Sequence, residues 1–578
     1  MSKLGNFVWG IADQLRGVYK PHQYGGVILP FTILRRLDCI LEPTRDEVRT
    51  LATKYAGGAL DAQVKRKTGL GFYNTSPFDF ARLLEDPEGL RANLMDYITG
   101  FSANIDVFER FKFENELATL DEKNRLYLVT SKFAEVDLHP DTVPNAEMGD
   151  LFEHLIYKFA EASNEEAGEH YTPRDAIRLI VDLLFAEDNK ALLEPGTVRT
   201  IYDPTAGTGG MLSVAEERLL ERNPDARLRL YGQEINDQSY AICKSDMIAK
   251  GQDAGNIRLG DTLEDDKFWD RTFDFCMSNP PYGFDWKASQ EAVEKEALVP
   301  GSRFSHGLPS IGDGQMLFLC HLAHKMRPAH EGGGRAGIVL NGSPLFTGAA
   351  ESGPSKIRQW LFESDLVEAI IALPTNMFFN TGIATYIWIL DNTKRPERRG
   401  TVQLIDAGSF WTKMRKNLGA KGREVDAKAR DRIVALYDAF EEADPDLSKV
   451  FAANDFGYWT ITVERPLLDE DGNPVTDRNG KPKPDAKKRD TENVPFTYGC
   501  NRAGDSGRDE TIKAYFEAEV RPHVPDAWVD TRKTKVGYEI PFTRQFYKYV
   551  PPRPLAEIDA DLERQVAKII ELLREVES

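Results

Sequence analysis

"TVRTIYDPTAGTGGML", residues 197–212, reads as a β-branched strand, a turn carrying three glycines, and the first turn of a helix beginning near Met211. Closely spaced glycines at such a turn let a ligand approach the backbone, and the helix N-terminus favours an anionic group such as a carboxylate or phosphate. The spacing D-P-x-A-G-x-G differs from the G-x-G-x-x-G dinucleotide fingerprint, and no lysine follows the glycines as in a phosphate loop. Taken alone, the stretch also fits a tight turn without a ligand.

Working outward, the same strand-then-helix rhythm repeats. "RLRLYGQ" (227–233), "NIRLGD" (256–261), "FDFCMSN" (273–279), "GRAGIVLN" (334–341), "LVEAIIALP" (366–374) and "ATYIWIL" (384–390) alternate with amphipathic segments. That alternation marks a parallel sheet covered on both faces. The last two runs are joined only by "TNMFFNTGI" (375–383), too short for a helical crossover, so the final strand is expected antiparallel. A seven-stranded doubly wound α/β sheet with one reversed strand follows.

On either side the pattern changes. Val8, Ile11, Ala12, Leu15 and Val18 share a helical face, and "VILPFTILRRLDCIL" (27–41) continues in helical style around Pro30. Residues 1–145 are therefore read as a helical N-terminal domain, ending in the proline-bearing "HPDTVPNAEMGD" (139–150), and 146–395 as the sheet domain. The alternation fades over 396–552. Within that extension "LLDEDGNPVTDRNGKPKPDAKKRD" (467–490) is polar with DG and NG turn pairs, a hairpin or flexible insertion. Residues 553–578 form a terminal helix whose apolar stripe runs Leu555, Ile558, Leu562, Val566, Ile569, Leu573, Val576. The stripe suits subunit contact or packing on its own domain. No internal repeat is evident.

At 578 residues the chain needs several cores, so three or four domains are expected. Its formal charge of −19 argues against a surface that wraps nucleic acid throughout, while leaving room for a basic groove or a partner that supplies phosphate contacts. Two basic segments, "KRPERR" (394–399) and "WTKMRKNLGAKGR" (411–423), could line such a groove or form a solvated, salt-bridged face. Cys39, Cys243, Cys276, Cys320 and Cys500 show neither paired spacing nor C-x-x-C, so no disulfide framework or metal site is implied. With no signal sequence and no long apolar run, a cytoplasmic protein without membrane contact is expected.

Polar residues end successive strands on one sheet edge. Glu234 ends the second run, where a carboxylate can accept two ribose hydroxyls, although a lone glutamate there also fits a solvated loop acid. Asp261 ends the third, placed to accept from an adenine amino group. After the fourth comes "SNPPYGF" (278–284): Asn279 offers an amide oxygen and Pro280 a carbonyl, so two acceptors can face one exocyclic amine, with Tyr282 as a stacking face. Such a grip makes the amine nitrogen more electron-rich and aligns it for attack on an electrophilic methyl group. In "GEHYTPRDAIRLIVDLL" (168–184), helix initiation alone explains Thr172 as N-cap, Pro173 at the first helical position and Asp175 completing a capping box. It leaves His170, Tyr171 and Arg174 unexplained, and Arg174 could hold a carboxylate.

"CMSNPPY" resembles the motif of methyltransferases acting on adenine N6, and "DPTAGTGG" their S-adenosylmethionine loop, in the gamma order. "ADQLRG", "HYTPR", "GQEIN", "DGQMLFL", "LPTNMFFNTGI" and "FYKYVPPRPL" extend the likeness over nearly the whole chain, to the modification subunit of type I restriction-modification systems. The resemblance implies a class I S-adenosylmethionine-dependent methyltransferase fold. It implies cofactor contacts from Glu169, His170, Tyr171, Thr172, Pro173, Arg174, Asp203, Thr205, Ala206, Gly207, Glu234 and Asp261. Asn279 and Pro280 then grip the adenine amine, Tyr282 stacks on the extruded base, and Phe379 or Phe378 closes the other side.

The implied partners are double-stranded DNA, a specificity subunit and a second copy of the chain, with room for a restriction subunit that the sequence itself does not call for. Transfer is direct, with neither metal nor covalent intermediate. The alternatives are a stand-alone adenine, RNA or protein-glutamine methyltransferase, or a non-catalytic subunit that senses the cofactor. Intact Asn279, Pro280 and Tyr282 weigh against the last.

Overall fold

The computed structural model describes residues 10–20, 23–144, 147–148, 172–186, 192–250, 252–379, 381–499, 507–549 and 553–577. Two units are distinguished, Met1–Ile540 and Pro541–Ser578.

The N-terminal region is helical, as its periodicity implies. Ile11, Ala12 and Leu15 are buried on a short helix over 10–15; Val8 lies outside the described residues. Helix α1 (Tyr24–Leu41) carries Pro30 in its interior and is buried along most of its length. Its Phe31 packs edge-on against Phe113 of α2 (Phe113–Glu122) at 4.9 Å and stacks on Phe133 of α3 (Leu126–Ala134) at 5.2 Å. The one buried acid on α1, Asp38, is satisfied by Tyr97 and by Arg35 and Arg45 at 2.6–2.7 Å. Buried charge is tolerated when paired in this way.

Next in the chain come α4 (Arg174–Ala186), β1 (Val198–Asp203), α5 (Gly210–Arg222), β2 (Arg227–Glu234), α6 (Asp237–Ala249), β3 (Ile257–Leu259), β4 (Phe275–Ser278), α7 (Gln315–Lys325), β5 (Arg335–Asn341), α8 (Gly353–Glu363), β6 (Val367–Ala372) and β7 (Thr385–Asp391). The strands lie in the order β3-β2-β1-β4-β5-β7-β6. Pairing is parallel except for β7, which runs antiparallel to both β5 and β6. The reversed last strand deduced from the short 375–383 connection is present.

The sheet does not stop near residue 395. Strand β8 (Thr401–Asp406) pairs parallel with β6, and β11 (Ser448–Ala452) pairs antiparallel with β8, giving nine strands. Between them lie a hairpin, β9 (Thr412–Leu418) with β10 (Lys421–Glu424), and α9 (Ala427–Ala439). The fading of the alternation after 395 has a physical cause. β8 is followed by a polar hairpin before its helix, which breaks the strand-helix rhythm without ending the sheet.

Ile201 of β1 joins the core shared with α4, α5, α6 and α9, while its neighbour Tyr202 faces the opposite side and meets His321 of α7 at 3.1 Å. Alternate residues of one strand thus pack against different helix layers. Helix α6 belongs to two cores at once. Tyr240, Cys243 and Met247 face the sheet, whereas Ala241, Ile242 and Ile248 join the N-terminal core. A helix buried on two sides has no polar face to give it amphipathic periodicity. Lys244 reinforces the junction through Asp106 at 2.7 Å.

A second sheet follows. β12 (Gly457–Glu464) lies between β13 (Asp490–Pro495) on one edge and β14 (Trp528–Val529) with β15 (Lys535–Tyr538) on the other, all antiparallel to it. It attaches to α8, where the buried Arg358 donates to the Tyr538, Pro344 and Thr347 carbonyls.

The insertion 467–490 contains a repeat that its polar composition conceals. "LLDEDGNP" and "VTDRNGKP" are successive octapeptides, and Asp469, Asp477 and Asp485 recur every eight residues. Each aspartate accepts backbone N–H groups of its own turn, from Asp471 and Asn473, from Asn479 and Lys481, and from Lys487. The three extended pieces close a ring: Leu467 N–H donates to Lys483 O, Lys483 N–H to Val475 O, and Val475 N–H to Leu467 O, all at 2.8 Å. The periodic signal lies in turn residues rather than apolar ones, which is why hydrophobic patterning misses it.

In the terminal unit a short helix, Phe542–Phe546, precedes α10 (Leu555–Glu577). Leu555, Leu562, Val566 and Ile569 are exposed on α10; the Leu573 and Val576 side chains lie outside the described set. Among the described residues no helix is long and apolar enough to cross a membrane.

Candidate active site

Strand order reverses between β1 and β4, and the parallel strands open a crevice there at their C-terminal ends. Asp203 ends β1 and Asn279 directly follows β4, so the two residues border this switch point. The crevice is open to solvent and lined by Thr172, Asp203, Thr205, Ala206, Gly207, Glu234, Asp261 and Asn279, among others.

The glycine turn is held from both sides. Gly207 (φ +53°) donates its N–H to Oε2 of Glu234 at 2.7 Å. Gly209 (φ +84°) precedes α5 and lies so close to α6 that a Cβ there would meet the Cys243 Sγ at 2.8 Å. Only glycine meets both the positive φ and the close approach. Thr205 bridges the turn to β4 through the Ser278 hydroxyl at 2.8 Å.

Glu234 is buried, with Oε1 accepting from Asn236 N–H at 2.8 Å. Its two oxygens therefore already anchor local backbone, and a ligand hydroxyl would use the remaining lone pairs. Asp261 is similarly committed, to Leu263 N–H at 2.8 Å and to the Ser289 hydroxyl. Behind it the buried Arg303 donates to the carbonyls of Thr262 and Leu263 and pairs with Glu296 at 2.6 Å. Arg303 also donates to Nδ1 of His321, leaving Nε2 to carry the proton toward Tyr202. Burial, reinforced by the adjacent guanidinium, pushes His321 well below the ordinary imidazole range, so the ring is neutral.

Asp203 differs from the other two acids. Oδ1 accepts from Thr205 N–H at 2.9 Å, while Oδ2 is buried without a protein hydrogen-bond partner among the described residues. Burial pushes its carboxyl up to about 7, against the lowering effect of the Thr205 bonds. An orphaned buried oxygen in a crevice is unusual and fits a ligand that brings a donor.

At Asn279, Nδ2 donates to the Thr172 hydroxyl at 2.9 Å and Oδ1 accepts from the Tyr282 hydroxyl at 2.8 Å. The Tyr282 ring stands edge-on to Phe378 at 5.9 Å. Phe378 is 2% exposed in the sheet core, whereas Phe379 is half-buried. The β9–β10 hairpin docks on this loop: Ala420 N–H donates to Phe379 O, and Lys421 Nζ reaches Met377 O and both oxygens of Asp175.

Several expected roles look different in the structure. Thr172 spends its hydroxyl on Asn279, and Asp175 spends its carboxylate on Lys421 and on Val425 N–H, so neither serves the helix-capping account. Arg174 lies 3.7 Å from Glu217 of α5, and neither it nor Pro173 lines the crevice. Pro280 is buried beside the crevice and Tyr282 reaches it through Asn279. Glu169, His170 and Tyr171 lie outside the described residues.

The two basic segments separate. In "KRPERR" Lys394 is buried against Asp365, and Arg398 is buried between the Tyr437 and Phe440 rings, so those two cations are structural. In the hairpin Lys413 and Arg415 are exposed, while Arg423 lies over Trp411 at 4.1 Å.

Sequence reading passed over Thr208, Ile235, Thr262, Phe284 and Phe318, which also line the crevice. Ile235 carried a signal, an apolar side chain immediately after the strand-ending acid, and it is 63% exposed. Arg303 carried none, since its role depends on a loop folding back onto β3.

The residues present suit S-adenosylmethionine: a glycine turn for close backbone approach, an orphaned acid for an ammonium group, and carboxylates at the next two strand ends. The N-6 DNA methylase family model matches residues 144–457, and the HsdM N-terminal domain model matches residues 4–133. The MjaIX type I restriction enzyme methylase subunit of Methanocaldococcus jannaschii is 27% identical over 457 residues, covering 76% of this chain and 78% of that protein. The MjaVII methylase subunit of the same organism is 30% identical over 361 residues, covering 61% of this chain and 57% of its own length. Among solved structures, a type I restriction-modification methyltransferase subunit from Streptococcus thermophilus superposes with a TM-score of 0.60 at 24% identity, over 78% of this chain and 95% of that one. At that identity the likeness bears on the fold.

Proposed function

The chain belongs to the N-6 DNA methylase family, and from that premise we propose that it is the modification subunit of a type I restriction-modification system, methylating adenine N6 in DNA. The observation that carries this reading is the juxtaposition of Asn279 with the glycine-turn crevice. An amine acceptor and a cofactor cradle share one wall.

S-Adenosylmethionine, when bound, supplies the electrophilic methyl group. Asp203, Glu234 and Asp261 would hold it in the crevice that the Gly207 turn also lines. Asn279 Oδ1 and the Pro280 carbonyl accept from the adenine amine and orient its lone pair, an alignment that lowers the barrier without covalent participation. Tyr282 supports one face of the extruded base, and the half-buried Phe379 closes the other, Phe378 being committed to the core. Positive charge grows on the amine nitrogen as the nitrogen–methyl bond forms and the methyl–sulfur bond breaks; the two acceptors stabilise it, and the nitrogen then gives its proton to water in the open crevice. Cys276, three residues before Asn279, is fully buried with its thiol pushed up by burial, so it supplies no thiolate for carbon methylation.

DNA is the substrate, and the exposed Lys413 and Arg415, carried on the hairpin whose Ala420 bonds to Phe379, serve as phosphate contacts. Recognition of sequence falls to a specificity subunit that assembles with two copies of the chain. This division of labour suits a chain of net charge −19. The α10 stripe is a surface for subunit contact.

The deciding experiment incubates the chain, alone and with its specificity subunit, with labelled S-adenosylmethionine and DNA of mixed sequence. N6-methyladenine is expected with the pair. Cofactor binding without N6-methyladenine under either condition would refute the reading and favour a cofactor-sensing subunit.

A further inference from the structure

The Asn279 carboxamide has two ends of opposite character. Its oxygen accepts hydrogen bonds and its nitrogen donates them. Rotation about a single bond exchanges the two, and the wrong orientation would set an NH₂ group against the N–H of an incoming amine. What fixes the carboxamide is therefore a determinant of the reaction.

Two hydroxyls hold it, of which Thr172 contacts the nitrogen end and Tyr282 the oxygen end. They are not equivalent. Tyr282 occupies the acceptor that an amine needs, so it must share or yield that oxygen when substrate enters. Thr172 occupies the donor, which no amine substrate requires, and it can stay in place throughout. Thr172 also comes from a distant part of the chain, 107 positions upstream, just before α4. As a β-branched residue it has few χ1 states, which suits a fixed anchor.

We propose that Thr172 is a positioning residue for methyl transfer. Its hydroxyl accepts from Nδ2 of Asn279 and keeps Oδ1 turned toward the amine. The inference rests on the adenine-methylating reading. It departs from the role that the family resemblance implies for Thr172, contact with the cofactor, whose crevice Thr172 also borders.

The two roles separate in measurement. Thr172→Val retains the shape and removes the hydroxyl; Thr172→Ser retains the hydroxyl. With the full chain assembled on its specificity subunit, calorimetry gives the cofactor dissociation constant, and a single-turnover assay at saturating cofactor gives the methylation rate. T172V is expected to lower that rate roughly 10- to 100-fold, the scale of a misplaced reacting group. Its cofactor dissociation constant should stay within about twofold of wild type, by the same argument that the lost contact is to Asn279. T172S should recover most of the rate.

A wild-type rate in T172V would overturn the proposal. So would weakened cofactor binding with full rate at saturation, which would return Thr172 to the cofactor. Thr172→Ala guards against misfolding of the valine variant, since it must show the same rate loss with cofactor bound, and a wild-type rate there also overturns the proposal. If the unsubstituted complex makes no N6-methyladenine, the functional reading fails and this inference falls with it; a methylating wild type beside an equally active T172V sinks this inference alone.

Discussion

The Tyr282 hydroxyl donates to Oδ1 of Asn279 at 2.8 Å, so the atom proposed to receive the adenine amine is already occupied by a side chain three residues along the same loop. The phenol uses one of the two lone pairs of that oxygen, so it shares or yields the acceptor when an amine enters and keeps it satisfied until then.

Ring and hydroxyl of Tyr282 should therefore separate on mutation. Tyr282→Phe removes a hydrogen bond worth about 1 kcal/mol but leaves the stacking face, so methylation should stay within roughly tenfold of wild type. Tyr282→Ala also loses base stacking, about 1–3 kcal/mol per base, and should weaken productive DNA binding correspondingly. Steady-state kinetics on both variants decides; equal losses would mean that the hydroxyl, not the ring, is what matters.

Adjacent phenylalanines give a second separation. Phe378 is 2% exposed in the sheet core, and Phe378→Ala should cost about 3–5 kcal/mol of stability by urea unfolding. Phe379→Ala, at a half-buried position, should leave the unfolding midpoint nearly unchanged and lower methylation instead. The reverse pattern would exchange their roles.

How much of this was legible beforehand depended on where the information lay. The seven core strands and the reversal of β7 were readable because strand periodicity and the short 375–383 connection are local features; their order across the sheet, a non-local property, was not. Strands β8 and β11 were not, because a polar hairpin interrupts the rhythm that would have announced them. Strand-ending Asp261, Glu234 and Asn279 were readable from position alone. Their partners were not: Ser289 reaches Asp261 across 28 positions, Thr172 reaches Asn279 across 107, and Lys421 reaches Asp175 across 246. Capping residues illustrate the same limit. Thr172 and Asp175 have the right types and spacing to start a helix, yet tertiary partners take both side chains, Asn279 that of Thr172 and Lys421 that of Asp175; for Asp175 a charged partner offers more than an exposed backbone N–H.

The Asp203 carboxyl sets a pH dependence. Burial raises it to about 7 from an ordinary value of 3.8, so the fold favours its protonated form. The stability this contributes is complete below about pH 4 and is lost as pH rises toward 7, a slope that Asp203→Asn should abolish. For a ligand bringing an ammonium group to Oδ2 the sign is opposite: binding favours the charged carboxylate. Cofactor affinity should rise from pH 6 to pH 8, with proton release on binding near pH 6.5. Calorimetry in buffers of different ionisation enthalpy measures that release, and its absence would place the ammonium elsewhere.

Lys421 and Asp175 make the last test, because their pair ties the start of α4 to the loop that bears both phenylalanines. Nζ of Lys421 lies 2.9 and 3.1 Å from the two Asp175 oxygens and 2.9 Å from the carbonyls of Met377 and Arg423. Lys421→Met fills similar volume but leaves the mostly buried Asp175 carboxylate without its cation. Breaking one half of such a pair costs about 3–5 kcal/mol, chiefly the penalty of the charge left behind. Asp175→Asn in the same chain removes that charge, so the double variant should be less destabilised than the sum of the two single variants. Denaturant unfolding of all four proteins gives the coupling directly. Additive losses would show that each side chain is held by its other contacts, Asp175 by Val425 N–H and Lys421 by the two carbonyls, and that the ion pair is not what fixes the loop against α4.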